Sequence, residues 1–333
     1  MGKILVTGGA GYIGSHTVVE LLNKGEEVLV VDNFCNSHPR TIRNIEKITG
    51  KKVEVIQMDL TERSSFRFLR NKKITSVIHF AALKSVNESV TSPIVYYQNN
   101  LEALINILSF IKYKDIKNFI YSSSCTVYGI PEKNPVTEET PIQKCESPYG
   151  TTKVQSEQII RDFHKQYPIN ITILRYFNPI GAHESGRIGD DAGNKPPANL
   201  LPYVAQVATG KRRLLFIFGN DYNTPDGTCL RDYIHVVDLA NAHIAALKQN
   251  ESKLAIYNVG TGNPVSVIEL LRAYHDATGI HIRNRIVKRR EGDIPAMYAD
   301  NSKIVKELGW KPKHTLEDMV KSSFKFQTYL NTL

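Results

Sequence analysis

Val6-Thr7-Gly8-Gly9-Ala10-Gly11-Tyr12-Ile13-Gly14 joins an apolar run at 3–7 to a helical pattern at 12–23. Glycine has no Cβ, so such a turn can bend sharply and let a bulky anion approach the backbone. A helix N-terminus then offers its unpaired N–H groups. A glycine-rich turn alone is a weak signal, because many strand-to-helix turns contain glycine. Here it follows a strand and opens a helix. About 20 residues later Asp32 ends the next apolar run, where an acid receives the ribose hydroxyls of a dinucleotide. The run continues Asn33-Phe34-Cys35-Asn36-Ser37, with no arginine directly after the acid. A carboxylate there repels a 2′-phosphate, so NAD is preferred over NADP.

Outward from that turn, the first half alternates short β-branched runs with helical patterns. Besides 3–7, strands are expected over 27–31, 53–58, 76–80, 118–121 and 171–174, with a helix over 150–167. These runs are continuous rather than alternating, as strands buried on both faces of a parallel sheet are. Strand–helix alternation predicts an α/β fold with a Rossmann-like doubly wound parallel sheet. Beyond Arg175 the regularity breaks. Residues 178–202 and 216–232 are rich in Gly, Pro, Asn and Asp and read as loop. Strands over 256–259 and 282–287 and helices over 265–278, 302–308 and 316–329 are expected after them. The expectation is a dinucleotide-binding domain over 1–178 and a smaller C-terminal α/β substrate-binding domain over 179–333. The segment around 232–262 is a candidate to return to the first sheet.

Composition narrows the class. Of 333 residues, 41% are hydrophobic, ordinary for a folded chain. No apolar run approaches the roughly 20 residues of a membrane helix. Residues 1–6 lack a signal-peptide layout, and Val6 stands where a myristoylation signal wants Ser or Thr. An unanchored cytoplasmic protein is expected. Cys35, Cys125, Cys145 and Cys229 form no CxxC pair, and the ten histidines form no HExxH pattern. Free thiols and no metal are therefore expected. The net charge of +9 fits nucleic-acid binding, or an anionic small substrate with a solvated basic surface. Its clusters, Lys51-Lys52, Lys72-Lys73, Lys211-Arg212-Arg213 and Lys288-Arg289-Arg290, are short and scattered, which favours the second.

Tyr149-Gly150-Thr151-Thr152-Lys153 opens a helical pattern, and the i, i+4 spacing puts tyrosine and lysine on one face. A phenol with a reference pKa of about 10 is a poor base at neutral pH. A nearby ammonium stabilises the phenolate and lowers that value. The spacing is weak alone, since Tyr113 and Lys117 share it on what reads as a solvated surface. Tyr149 has better context: Ser122-Ser123-Ser124 lies upstream at a strand end, on the edge of such sheets where ligands bind. The bland alternative for those serines is a polar turn, and it stays open for at least one of them.

Taken together, the glycine turn, Asp32, Ser124, Tyr149 and Lys153 resemble the extended short-chain dehydrogenase/reductase superfamily. Longer stretches narrow the likeness to the UDP-glucose 4-epimerase family, over residues 3–316. They are Tyr121-Ser-Ser-Ser-Cys-Thr-Val-Tyr-Gly129, Ser147-Pro-Tyr-Gly150, Leu174-Arg-Tyr-Phe-Asn-Pro179, Phe218-Gly-Asn-Asp221, Arg231-Asp-Tyr-Ile-His-Val236 and Arg289-Arg-Glu-Gly-Asp293. The resemblance implies an enzyme that keeps NAD bound. It would reversibly epimerise UDP-glucose and UDP-galactose at C4 through a transient 4-keto sugar and enzyme-bound NADH. Tyr149 would take the proton of the 4-hydroxyl, helped by Ser124, while Lys153 tunes Tyr149 and holds the nicotinamide ribose.

Carried over residue by residue, the NAD site takes in Gly8, Gly11, Tyr12, Ile13 and Gly14 of the turn and Asp32, Asn33, Asn36 and Ser37 after the second strand. Asp59, Leu60, Phe80, Ala81, Ala82, Lys84 and Asn99 follow, with Ser122, Tyr149, Lys153 and Phe177 nearer the chemistry. The UDP-sugar falls to Ser124, Tyr149, Asn178, Asn199, Leu200 and Phe216, and further along to Phe218, Arg231, Tyr233, Arg290, Asp293 and Met297. Guanidinium matches phosphate in charge and geometry, so Arg231 and Arg290 suit a diphosphate, and Asp293 suits ribose hydroxyls. Without the resemblance, surface ion pairs with Asp232 and Glu291 would be the first reading of those arginines. Met297 aligns with a position that gates sugar size, and its flexible side chain suggests weaker turnover of the N-acetylated UDP-hexoses. Cys125 stands where alanine is common, and Phe216 where a small residue occurs. The resemblance also implies a homodimer through helices around 89–112 and 150–167.

Two rivals are weighed on the same residues. Dehydratases and decarboxylases on this scaffold place acids just after the serine-bearing strand, where this chain has Cys125-Thr126-Val127. A non-catalytic NAD sensor would have no need of Ser124, Tyr149 and Lys153 together.

Overall fold

The structure, a computed structural model, describes residues 2–191, 193, 197, 199–249, 252–290 and 292–333. Its first part runs β1 (Lys3–Thr7), α1 (Tyr12–Asn23), β2 (Val28–Asp32), α2 (Pro39–Thr49), β3 (Glu54–Gln57), β4 (Ile74–His79), α3 (Val86–Thr91), α4 (Pro93–Lys114), β5 (Asn118–Ser124), α5 (Pro148–Gln166) and β6 (Asn170–Tyr176). There follow β7 (Asn178–Ile180), α6 (Leu200–Ala208), β8 (Leu215–Phe218), β9 (Leu230–His235), α7 (Val236–Ala246) and β10 (Leu254–Val259). The chain closes with β11 (Pro264–Ser266), α8 (Val267–Thr278), β12 (Asn284–Val287), β13 (Ala296–Met297), α9 (Ser302–Leu308) and α10 (Leu316–Leu330).

Seven strands form one parallel sheet in the order β10-β6-β5-β4-β1-β2-β3. Successive residues of β1 explain the continuous apolar runs. Ile4 and Val6 enter a core with Val18 and Val19 of α1 and Leu239 of α7. Leu5, on the opposite face, packs with Leu104 and Ile107 of α4. Both faces are covered, so the middle of the strand is apolar throughout, and buried Thr7 at its end has its hydroxyl hydrogen-bonded to a His79 ring nitrogen. Strand order reverses between β1 and β4, and a doubly wound sheet opens its ligand crevice at such a point.

The remaining strands form a four-stranded sheet, with β9 between β11 and β13 and also paired to β7, and a parallel β8–β12 pair. Helices α6, α8 and α10 cover them over a separate core that includes Leu201, Val204, Leu270, Tyr274 and Val320. A small cluster of Cys125, Val127, Tyr128, Phe177, Met297 and Ala299 joins this region to the main sheet.

The structure corrects two loop expectations. Residues 178–202 contain β7 and the start of α6, and 216–232 contain most of β8 and the start of β9. These strands are short and bordered by Gly, Pro and Asn, so they carry no local period. Their pairing is long-range, Asn178 with Tyr233 and Leu215 with Asn284. Two other strands run further than expected: β5 continues through the serines to Ser124, and β6 to Tyr176.

Candidate active site

The glycine turn fits a dinucleotide. Gly8 has φ 68°, and a Cβ on it would stand 2.8 Å from the Ala81 nitrogen. A Cβ on Gly14 would lie 2.2 Å from the Gly8 carbonyl oxygen. On Gly11 it would meet only that same oxygen within 4 Å, at 3.1 Å. Helix α1 starts there without a side-chain cap, so its first N–H groups remain for an anion. Asp32 knits the turn to the next loop: one oxygen accepts from Ala10 N (2.9 Å), the other from Phe34 N (2.9 Å) and Ser37 Oγ (2.8 Å). Asn33 Nδ2 donates to Asp59 Oδ2 at 2.9 Å, which brings four predicted coenzyme residues into one network. Leu60 is buried and Asn36 is exposed beside them. Tyr12 donates its hydroxyl to Gly181 O at 2.7 Å, and Ile13 packs on the core behind the turn. Phe80 lies against the His243 ring, 4.6 Å between centroids, and leads into Ala81 and Ala82 at the end of β4. Asn99 bonds its neighbour Asn100, and Phe177 is buried in the junction cluster.

The catalytic candidates meet at the carboxyl end of β5. Pro148 opens α5 behind Ser147, whose side chain caps Gly150 N, so Tyr149 and Lys153 fall in the first two turns. Both are buried. The Tyr149 side chain stands beside Ser124 and Tyr176, close enough for both to act on its phenol. Lys153 Nζ donates to Ser122 O at 2.8 Å and lies 5.8 Å from the Tyr149 ring centroid. Burial and the neighbouring Tyr176 push the Tyr149 phenol well above its usual value, and contact with Ser124 opposes this. Burial also lowers the Lys153 ammonium to about 7. The protein alone therefore keeps Tyr149 protonated, and added positive charge nearby is what would make it a base.

Three consecutive serines do different work. Ser122 receives Lys153 on its carbonyl and donates its hydroxyl to His243 Nε2 at 3.1 Å, since Nδ1 of that ring gives its hydrogen to Leu239 O. Ser123 donates to Glu157 Oε1 (2.7 Å), which Arg175 grips with Nε at 3.0 Å while Nη2 takes Oε2 at 2.7 Å. Ser123 is thus the structural member. Ser124 reaches the tyrosine. The Tyr113–Lys117 pair leads nowhere: Tyr113 is exposed and Lys117 pairs with Asp115.

On the other side of the cleft the arginines find partners the sequence did not suggest. Neighbouring strand residues point to opposite faces, so Asp232 turns away from Arg231. Asp232 is buried and accepts from Thr261 N, Thr261 Oγ1, Gly262 N and Ala299 N at 2.7–3.0 Å. Arg231 instead bonds Ile294 O (2.8 Å) and meets Asp293 Oδ1 at 3.3 Å; Arg290 meets the same Oδ1 at 2.9 Å. Asp293, expected to face ribose hydroxyls, thus sits between two guanidiniums. Glu291, the other expected partner, lies outside the described residues. Phe216 and Phe218 are both half exposed on β8, with the Arg290 guanidinium 5.6 Å from the Phe218 ring. Tyr233 is buried opposite Asn178, whose Oδ1 is buried without a hydrogen-bond partner. A buried unpaired acceptor beside a cleft marks a place for a donor. Asn199 and Leu200 start α6, and Met297 is buried in the junction cluster beside Phe177 and Cys125.

Sequence reading missed Tyr176 and Asp190. Tyr176 lies within a quoted motif, but nothing local says its hydroxyl meets Tyr149. Asp190 lies in the stretch read as loop, and it accepts from Lys84 Nζ at 3.0 Å and from Asn199 Nδ2 at 2.8 Å. Among the described residues no cluster of His, Cys, Asp and Glu is arranged to hold a metal, and no helix is long and apolar enough to cross a membrane.

A family model described as GDP-mannose 4,6 dehydratase matches residues 5–323. A UDP-glucose 4-epimerase of Haemophilus influenzae is 50% identical over 328 residues, 97% of this chain and 97% of that protein. The crystal structure of UDP-glucose 4-epimerase from Bifidobacterium longum, in complex with NAD+ and UDP, matches with a TM-score of 0.95 at 50% identity over 98% of each chain. UDP-glucose-4-epimerase from Stenotrophomonas maltophila, with bound NAD and formylated UDP-arabinopyranose, matches at 0.96 and 42% identity over 100% of this chain and 99% of that one.

Proposed function

The chain belongs to the UDP-glucose 4-epimerase family of extended short-chain dehydrogenases/reductases, and we propose that it interconverts UDP-glucose and UDP-galactose by inverting C4, with NAD held at the β1–α1 turn. The observation that carries this reading is the meeting of Tyr149, Ser124 and Lys153, whose Nζ lies 5.8 Å from the Tyr149 ring, at the carboxyl edge of the sheet. NAD, when bound, supplies the acceptor and donor for the hydrogen on C4. Tyr149 takes the 4-hydroxyl proton and later returns it from the same oxygen, and Ser124 orients that hydroxyl. Lys153 favours the phenolate by its charge. Cys125-Thr126-Val127 offer no carboxylate to expel water, which argues for simple redox at C4 rather than the dehydration named by the family model.

Gly8, Gly11, Gly14 and Asp32, with Asn33, Ser37, Asp59 and Phe80, make the coenzyme side. Asn178, Asn199, Arg231, Arg290 and Asp293 make the nucleotide-sugar side, where the ion cluster must reorganise around a diphosphate. The proposed division is a coenzyme domain over 1–178, rejoined by the segment around 232–262, and a nucleotide-sugar domain over 179–333. The place of β10 beside β6, and of α7 against α1, supports that return. The plain hexoses are the preferred substrates, with N-acetylated ones turned over more weakly past Met297. Exposed Val86, Val90, Ile94, Val95 and Ile105 on α3 and α4 support a homodimer through α4 and α5. Free Cys35, Cys125, Cys145 and Cys229 support a reducing cytoplasmic setting.

The test is incubation with UDP-galactose and no added coenzyme. UDP-glucose should form, and denaturation should release about one NAD per chain, as a single dinucleotide fingerprint requires. Release of NADP, or no product from NAD-loaded protein, would overturn the reading.

A further inference from the structure

Asp190 belongs to none of the roles above, yet it touches both sides of the cleft. Its side chain is 16% exposed and Lys84, which it anchors, is 52% exposed. Lys84 leaves the end of β4 on a segment pinned by Asn100, whose Oδ1 accepts from Leu83 N at 2.8 Å and whose Nδ2 donates to Leu83 O at 3.1 Å. Asn199 comes from the other region, as the residue before α6. Asparagine there ordinarily bonds the first turn of its own helix. Asn199 does not; its Nδ2 goes to Asp190, and α6 starts without a side-chain cap. One carboxylate therefore orders a flexible ammonium on the coenzyme side, turns an amide on the nucleotide side, and leaves the start of α6 open to an anion.

The stretch bearing Asp190 is itself fastened to both regions. Arg40 meets Asp191 at 2.9 Å and Asn44 Nδ2 donates to Arg187 O at 2.8 Å, both from α2. Lys325 of α10 donates to Glu184 O at 2.6 Å. Asp190 also acts at a distance. Burial raises the Tyr12 phenol and the Asp190 charge adds to it; the same charge is a minor contributor at Tyr176, beside Tyr149.

We propose that Asp190 is a positioning residue for the nucleotide diphosphate: it holds Lys84 and Asn199 as one strut across the cleft and keeps the α6 N-terminus uncapped. Lys84 retains two further N–H donors and Asn199 one, so both remain able to bond a ligand while Asp190 fixes their direction. This rests on the reading of the two sides given above.

The experiment measures UDP binding by calorimetry on NAD-loaded protein, together with KM and kcat for UDP-galactose, in native and Asp190→Asn chains. Asparagine keeps the shape and drops the charge. Loss of a charge-assisted contact should weaken UDP and raise KM by about tenfold, with kcat within about threefold. Asp190→Glu should recover part of the affinity. Lys84→Met should cost less in the Asp190→Asn background than in the native one, as coupled residues do. Equal UDP affinity in native and Asp190→Asn chains overturns the proposal. So does a parallel fall in kcat, NAD content and melting temperature with KM unchanged, which marks a structural role. A native chain that fails to bind UDP overturns the functional reading itself.

Discussion

The two sides of this cleft are held in opposite ways. On the coenzyme side, Ser122, Ser123 and Ser124 end a strand buried on both faces, and each is bonded inside the protein: Ser122 to Lys153, Ser123 to Glu157 and Ser124 to Thr126 N. Behind them Arg175 and Glu157 form an ion pair almost wholly removed from water. On the nucleotide-sugar side, Arg231, Asp293 and Arg290 hold mainly one another, on short strands and loops, with Arg290 nearly half exposed. The proposed proton transfer needs atoms kept within fractions of an ångström, and its groups stand on the sheet end at Ser124 and on the buried face of α5 at Tyr149 and Lys153. A charged ligand that enters and leaves needs charges that can change partners, which short strands near water permit.

The comparison fails first if Tyr149 is dispensable. Tyr149→Phe keeps the ring and removes the proton carrier, so turnover should fall by about 10²–10⁴-fold while UDP binding survives. Near-native kcat would remove Tyr149 from the mechanism.

The ion pairs give the next contrast. Arg175→Met takes from buried Glu157 its two-bonded partner and leaves it only the partly exposed Arg161, 3.0 Å away, so urea unfolding should show a loss of about 3 kcal/mol. Arg290→Met, on the exposed side, should change stability by no more than about 1 kcal/mol. Equal losses would erase the distinction between the two sides.

Met297 lies where the two regions join. A bulkier ring there should cost UDP-N-acetylgalactosamine roughly tenfold or more and UDP-galactose less than about twofold. Parallel assays of Met297→Tyr check it, and equal loss of both activities would show that Met297 is packing alone.

His243, behind Ser122, gives a smaller, pH-dependent effect. Burial lowers it from 6.5 to about 4. The folded chain thus keeps it neutral where the unfolded chain takes up a proton, and its contribution, complete above pH 6.5, is lost as pH falls toward 4. His243→Gln should flatten the urea midpoint against pH across that window, by about 1 kcal/mol at one unit below 6.5. An unchanged slope would mean that His243 is not held neutral. Tyr113→Phe should change nothing measurable in kcat or stability; a large effect would show that tyrosine–lysine spacing alone carries function.

Much of the first region was legible because its signals are local. Gly8 and Gly14 are glycines for backbone reasons, Asp32 ends an apolar run at the right spacing, and Tyr149 and Lys153 share a helical face. Each depends on residues a few positions apart. The strand ends were less legible: Ser122–Ser124 and Tyr176 are polar, and their strand character comes from pairing of the serines with Leu174–Tyr176 and of Tyr176 with Val259 of β10.

The sequence alone carried the doubly wound sheet, the coenzyme preference and the shared helical face of Tyr149 and Lys153, because turn, period and helical spacing are properties of short segments. Tertiary structure decided the rest. It made β7 and β8 strands, gave Ser123 to Glu157, turned Asp232 away from Arg231, set Asp293 between two arginines, and brought Asp190 from a glycine-rich stretch onto Lys84 and Asn199. Apart from Arg290 and Asp293, which are i,i+3 neighbours, those contacts join residues 9 to 106 positions apart, and which atoms meet is fixed only when the two regions pack.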